Sequence, residues 1–439
     1  MDRSLWAVLG GTFTLRFSTG LTGTMLAVYL STLHEHGGPF VEATTLGWLY
    51  AAFYISELAL SPIFGVLSDS FGHHRVMLVG PAFGAVAAIL TGLTTNLVIL
   101  GGTRVLEGAS TAASVPSILG YIALVTAGNE LLRGKAAARF EGATLAGIGV
   151  GLVVAPLLFA ALGPAAFFLN ALVYGVSFLI YRFGVEDRQA EERAARADRR
   201  HMDLARYTTL LRSSHVWLLA PTWIAVNASI GLWFSQAIFN FSRANPKFPD
   251  QLLMRGFAPM QISLAAVAIG VVFAAGLLYW GNRFRSYRRT SIIAAGICGG
   301  VVMAVGGFVV NHGEGIPLVL PILAGLAAAA GLFVLAGATP AAVGLLADMS
   351  EAFPSDRGAI MGLYSVFLAL GQIGGSLIGG YAADWKGIDG LLLGTGIVLL
   401  IALLPLARLR RQEFQLQLEH PELAPDGAAA HGAPPREPA

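Results

Sequence analysis

Runs of about twenty apolar residues recur along the whole of this 439-residue chain, and each is long enough as a helix to cross a hydrocarbon layer of about 30 Å. Backbone N–H and C=O groups find no water inside lipid, so runs of this length must satisfy their own hydrogen bonds as helices. Twelve can be marked, at 5–33, 44–68, 76–95, 97–127, 139–162, 165–184, 215–240, 259–281, 291–310, 316–346, 358–384 and 390–407. Charged residues make up only 12% of the chain, about half the share that a soluble domain carries. The expected fold class is an all-α membrane protein with 12 transmembrane helices.

The basic residues orient the helices. With the N-terminus inside, 22 of the 28 Lys and Arg fall on the cytoplasmic side and four outside, namely Arg243, Lys247, Arg255 and Lys386. Arg16 and Arg104 remain within helices. The opposite orientation inverts this bias, so both termini are expected in the cytoplasm. The net charge of +2 follows from this topology and gives no reason to expect nucleic acid as a partner. The first apolar run is too long, and too continuous with the rest of the chain, for a cleaved signal peptide. The single cysteine, Cys298, rules out an intrachain disulfide. Arginine outnumbers lysine 25 to 3, a usage typical of a GC-rich bacterial genome, so the expected location is a bacterial inner membrane.

One stretch breaks the apolar pattern midway. Residues 185–214 are Ala-rich and carry thirteen charges of mixed sign, a composition that favours helix in water or along a membrane surface. They read as a cytoplasmic linker between an N-terminal six-helix bundle, 1–184, and a C-terminal one, 215–407. The tail, 408–439, is rich in Pro, Ala and Gly, the composition of a disordered segment.

The two halves share a pattern. In the fifth run, Gly142 is followed nine positions later by Gly151 and then by Ala155-Pro156; in the eleventh, Gly362 is followed nine positions later by Gly371 and then by Gly375-Ser376. The register repeats at an offset of 220 (142 to 362). Small residues at such spacings let helix backbones approach closely. Their recurrence at equivalent places suggests two related bundles.

A short polar break separates the second run from the third. It carries Gly65, Leu67, Ser68, Asp69, Gly72, His74 and Arg75, in the order G-x-L-[S/A]-D-x-x-G-[basic]-[basic]. This break resembles the signature loop of the major facilitator superfamily of secondary transporters. The twelve runs and their 6+6 division extend the resemblance over residues 5–407. Ser70 stands where the family has a basic residue, and His73 or His74 replaces one of the basic pair. The matching loop of the second half, Asn282 to Arg289, keeps the positive charge but has Asn282 where an aspartate is often found. Arg104-Val-Leu-Glu107-Gly108 is similar to the family's R-x-x-[Q/E]-G element, whose arginine is linked in proton-coupled members to proton transfer. Gly142, Gly151 and Pro156 resemble the antiporter motif G-x8-G-x3-G-P-x2-G-G of the 12-helix drug:proton antiporter branch, from which Ala155, Phe159 and Ala160 depart. The resemblance implies two pseudo-symmetric bundles, a monomer in the bilayer, and a small-molecule substrate moved by alternating access. It also makes Asp69, at a helix end, a cytoplasmic gate residue whose carboxylate interacts with a neighbouring helix end when the cytoplasmic side is closed; a helix N-terminus favours such an anion.

Charges inside the hydrocarbon layer mark the candidate mechanism, because each costs at least ~2.5–3.5 kcal/mol at a helix centre. Arg16, Glu57, Arg104 and Glu107 are such charges. Arg104 and Glu107 are i and i+3 and share a helix face. Two positives and two negatives can neutralise one another in the N-terminal bundle. One reading has a carboxylate, Glu57 or Glu107, carry the coupled proton; the other has a static network that fixes packing. In the seventh run, Trp223, Asn227, Gln236 and Asn240 place aromatic and polar groups in an apolar span. Helices 1, 4, 7 and 10 line the cavity in the resembled family, which makes these four substrate-cavity candidates. Interhelical hydrogen bonding is the competing reading.

Other patterns fail. Gly128 to Ala136 has one residue too many for a phosphate loop and lacks the Ser/Thr after Lys135. His34 and His36 lie in a short loop with only Glu35 and Glu42 nearby, so no metal site is expected. No cofactor is expected either. The sequence thus reads as a secondary transporter, with protons as coupling ion and small amphipathic compounds exported. A proton symporter or facilitator for a nutrient or metabolite is the alternative. A membrane-embedded lipid-modifying enzyme is the remote one, since no clustered catalytic set is present.

Overall fold

A computed structural model describes residues 3–188, 216–283, 287–351 and 357–419. Most of residues 185–214, all of 420–439 and positions 284–286 of the second-half loop lie outside the described residues.

The order of helices is α1 (Arg3–Ser31), α2 (Ala43–Phe71), α3 (His73–Leu93, interrupted at Leu78), α4 (Leu97–Val125), α5 (Glu130–Leu162) and α6 (Ala166–Gly184) in the first half. The second half has α7 (Val216–Ser242), α8 (Pro259–Gly281), α9 (Arg289–Asn311) and α10, built from Val319–Ala336 and Ala338–Glu351. The run Arg357–Glu419 then breaks at Lys386 and Gly387 into α11 (357–385) and α12 (388–419). Gly387 sits at φ 58°, a conformation open to glycine, so the chain can reverse there without a longer loop.

Nine stretches of the described residues are long and apolar enough to cross a membrane. Two of them, Leu132–Gly184 and Leu363–Arg411, each hold two consecutive helices. α1, 29 residues long, falls below that hydropathy because threonine, serine and glycine run through it. Several expected boundaries move. α5 begins at Glu130, nine residues before its apolar run, where Asn129 accepts from Leu132 N at 2.9 Å and caps it. α12 continues helical to Glu419 instead of giving way to tail at 408. The polar break from Gly65 to Arg75 is mostly helix: α2 runs to Phe71 and α3 starts at His73, leaving only Gly72, at φ 103°, outside.

The two halves repeat one contact. A Cβ on Gly151 of α5 would lie 2.5 Å from Phe17 O and 2.8 Å from Leu21 N of α1; a Cβ on Gly371 of α11 would lie 2.7 Å from Ile224 O and 3.1 Å from Ala228 N of α7. The glycines therefore let α5 lie on α1, and α11 on α7, backbone to backbone. Gly142 has open space around it and makes no such contact.

The halves meet through α2 with α11, α5 with α8 and α1 with α7. Among the described residues, their cores join at one end. Around residues 32–42, the far end, one buried cluster draws Leu30, Leu33 and Val41 together with Phe239, Met254, Ala383 and Ile388. At the opposite, near end, which carries Gly72, the described residues of each half form a core of their own: Leu5, Met77, Ile122 and Tyr181 in one, Val216, Ile293, Leu346 and Leu406 in the other. The described residues thus seal the far end and leave the two cores separate at the near end.

Candidate transport site and gates

The four membrane charges do not form one network. Arg104 and Glu107, one turn apart on α4, make an ion pair with side chains 4% and 1% exposed. The Arg104 guanidinium also lies over the rings of Phe53 and Tyr50 on α2, 5.0 and 5.6 Å from their centroids. Such cation–π contacts strengthen when desolvated. Gly108 makes this approach possible, because a Cβ there would meet Phe53 O and lie 2.8 Å from Ser56 Cβ. Ser56 Oγ donates to Val105 O at 2.7 Å across the same seam. Behind Glu107, Thr22 of α1 lies within reach of the carboxylate, and Asn170 of α6 donates to Thr22 Oγ1 at 2.7 Å and to Ser18 O at 3.1 Å. The pair is enclosed, yet Arg104 Nε and Glu107 Oε1 have no hydrogen-bond partner there among the described residues.

Arg16 and Glu57 are set apart from this pair. Both are half-buried, and the charge acting on Glu57 is Arg16 of α1. Arg16 also acts on a carboxylate that the sequence reading missed, Glu141 of α5. A Cβ on Gly147 of α5 would lie 2.9 Å from Arg16 Cβ, so α1 and α5 touch just above that acid. Glu141 is exposed and its field reaches Tyr364 of α11, which places it at the gap between the halves. Tyr364 in turn stacks on Trp223 of α7, with centroids 5.3 Å apart and planes 27° apart. Arg16, Glu57, Glu141 and Tyr364 thus lie near one another between the halves, with the buried Trp223 packed behind Tyr364.

The seventh-run candidates are packed, at 5% exposure or less. Asn227 donates to Trp223 O on its own helix at 2.9 Å and its Cβ abuts Gly371. Gln236 donates to Ala43 O of α2 at 3.1 Å, and Asn240 donates to Gln236 O at 2.8 Å. Of these bonds, that of Gln236 joins two helices, while those of Asn227 and Asn240 stay within α7.

At the near end, Asp69 sits in the last turn of α2. It is half exposed and lies 3.9 Å from His73 Nε2; the other ring nitrogen of His73 is 2.6 Å from Ser68 Oγ. Arg75 lies 3.9 Å from Asp187 beyond α6. Gly65 has Pro116 of α4 as its nearest neighbour, 3.9 Å from where its Cβ would be. In the second half, Arg289 pairs with Asp348 and donates to Gly344 O at 2.9 Å, tying α9 to α10.

The family model described as Major Facilitator Superfamily matches residues 8–244 and 232–430. The chain belongs to the major facilitator superfamily. Among curated proteins, this major facilitator is 26% identical to Multidrug resistance protein 2 of Bacillus subtilis (strain 168), over 90% of this chain and 92% of that protein. It is 22% identical to Quinolone resistance protein NorA of Staphylococcus aureus (strain MSSA476), over 65% of this chain and 68% of that protein. Among solved structures it is similar to the nucleoside transporter NupG, with TM-score 0.69, 12% identity, and coverage of 93% of this chain and 99% of that one. It is also similar to the peptide transporter POT in complex with sulfate, with TM-score 0.67, 16% identity, and coverage of 94% and 95%. Those two likenesses establish the fold. The family and its neighbours here are membrane transporters, not enzymes, so the protein is a multi-pass transporter of small molecules.

Proposed function

We propose that the protein is a proton-coupled exporter of small amphipathic compounds that works by alternating access, with the near end facing the cytoplasm. The observation that carries this reading is the position of Arg16, whose charge acts on both Glu57 and Glu141 without forming an ion pair with either. Attraction by an arginine favours an ionised carboxylate, and burial favours a neutral one. A rocking motion that moves Arg16 toward one acid and away from the other changes the proton affinity of both. That couples proton binding to the state of the gates. The names of the two curated relatives support export of drug-like compounds, and Tyr364, a neutral and partly exposed aromatic side chain near Glu141, suits an amphipathic substrate. The positive-inside bias supports the orientation.

The test is flux in proteoliposomes, with a lipophilic dye as the substrate and with pH gradients of both signs. Export requires accumulation on the acidic side and its reversal when the gradient is reversed. Flux that ignores the gradient favours a facilitator, and accumulation on the alkaline side favours a symporter.

A further inference from the structure

The first turn of α2 is capped by the other half of the molecule. Four N–H groups at any helix start lack an intrahelical acceptor. Glu42, at the N-cap position of α2, makes no side-chain cap bond. Asp384, near the end of α11, does so instead: one carboxylate oxygen accepts from Ala43 N at 2.9 Å and the other from Thr44 N at 2.7 Å. A carboxylate on a helix N-terminus gains from the local positive potential and from charge-assisted hydrogen bonds.

The neighbours fix this contact from several sides. Gly380, one turn before Asp384, approaches so closely that a Cβ would lie 2.8 Å from Thr44 Cα, and a Cβ on Gly47 would lie 2.5 Å from Ser376 O. The two helices run antiparallel through this seam. Gln236 donates to Ala43 O, and Arg243, in the loop after α7, donates to Val41 O at 3.3 Å while lying over the Phe239 ring at 5.2 Å. Burial draws the Arg243 guanidinium below its ordinary range, and the charge of Asp384 opposes that.

We infer that Asp384 is a positioning residue of the transport cycle, the latch that holds the far end closed. Its two acceptor bonds exist only while α2 and α11 touch at that end. Separation exposes both N–H groups and the carboxylate to water, so the bonds weight one gate state against the other. The contact lies on the C-terminal half's side of a seam where α2 supplies only backbone donors. This inference rests on the alternating-access reading, but its readout does not require a transported substrate.

The test introduces Ser376→Cys, 1% exposed in the closed seam, into a Cys298→Ala background. Alkylation by a small polar maleimide is timed for the Asp384, D384A, D384N and D384E forms, after each is shown to elute as a monodisperse species in detergent. D384A should raise the labelling rate about tenfold, a modest shift of a two-state equilibrium. D384N keeps one acceptor oxygen and should fall between; D384E should return close to the parent rate. Equal rates in the parent, D384A and D384N forms overturn the latch, as does D384E labelling as fast as D384A. Raised labelling in a protein that moves no lipophilic dye keeps the latch and counts against export; unchanged labelling in an active exporter does the reverse.

Discussion

The Arg104 guanidinium lies over the Phe53 ring, 5.0 Å from its centroid, and so joins α4 to α2 while its charge is neutralised by Glu107 one turn along. Gly108 admits the α2 backbone and Ser56 is bonded to Val105 O, so the two helices are closely packed at this seam. The resembled motif links the arginine to proton transfer; the geometry around it is that of a clamp.

Glu107→Gln should therefore destabilise the protein more than it alters coupling. Removing one partner of a buried pair leaves an uncompensated charge and costs about 3–5 kcal/mol. Thermal unfolding in detergent should show a large drop in midpoint. The double variant R104Q/E107Q should recover part of it, because no lone charge remains. A Glu107→Gln protein with parental stability and no response to a pH gradient would return the coupling role to this pair.

Much of the fold was legible because the membrane leaves so few choices. An apolar run of twenty residues has one structural solution, and the i, i+3 spacing of Arg104 and Glu107 already put them on one face. The glycine register of the fifth and eleventh runs likewise pointed to the repeated contact of Gly151 and Gly371. Glu141 was not legible. Polar residues between Glu130 and Ala138 hide the first turns of α5 from a hydropathy reading, so Glu141 looked like a helix end. Asp384 was hidden for another reason: its partners are backbone N–H groups of a helix 340 positions away, and backbone donors leave no mark in a sequence. The quartet of charges split because the spacing of residues along separate helices says nothing about which helix lies beside which.

Both termini are expected in the cytoplasm, with the near end, and the bias of basic residues sets that expectation. Ala127→Cys, exposed in the α4–α5 turn, and Glu314→Cys, exposed between α9 and α10, test it in a Cys298→Ala background. An impermeant reagent added outside intact spheroplasts should label position 314 and leave 127 untouched. The reverse result would invert the topology and, with it, the direction of export.

Asp69 should slow the cycle when neutralised, without loss of stability in the state described. At the C-terminal end of α2 its charge opposes the helix dipole, so in this state it is carried at a cost that His73 and its neighbours offset. The resembled gate motif assigns this charge a neighbouring helix end in the other gate state, so the charge weights one state against the other. Asp69→Asn should leave the unfolding midpoint unchanged or raise it slightly, while turnover falls. Parental turnover in a well-expressed Asp69→Asn protein would remove the gate role.

Glu57 and Glu141 should both be needed for gradient drive, because they compete for one arginine. In E57Q, Arg16 has only Glu141 to serve and becomes a fixed pair; in E141Q the same holds with Glu57. Either change removes the exchange that links proton affinity to conformation, yet leaves the stacked pair Trp223–Tyr364 intact. Each single variant should lose gradient-driven accumulation by about tenfold or more, within the range of ordinary coupling free energies. Substrate exchange without a gradient should continue. Because both lesions break one device, E57Q/E141Q should be scarcely worse than either single variant. Stability should fall less than in Glu107→Gln, since Glu57 is half-buried and Glu141 exposed, where Glu107 is fully enclosed. Transport measured with and without a pH gradient, for the two singles and the double, decides the matter. If either single variant follows the gradient as the parent does, Arg16 is not shared in the sense proposed, and the proton route runs through a different carboxylate.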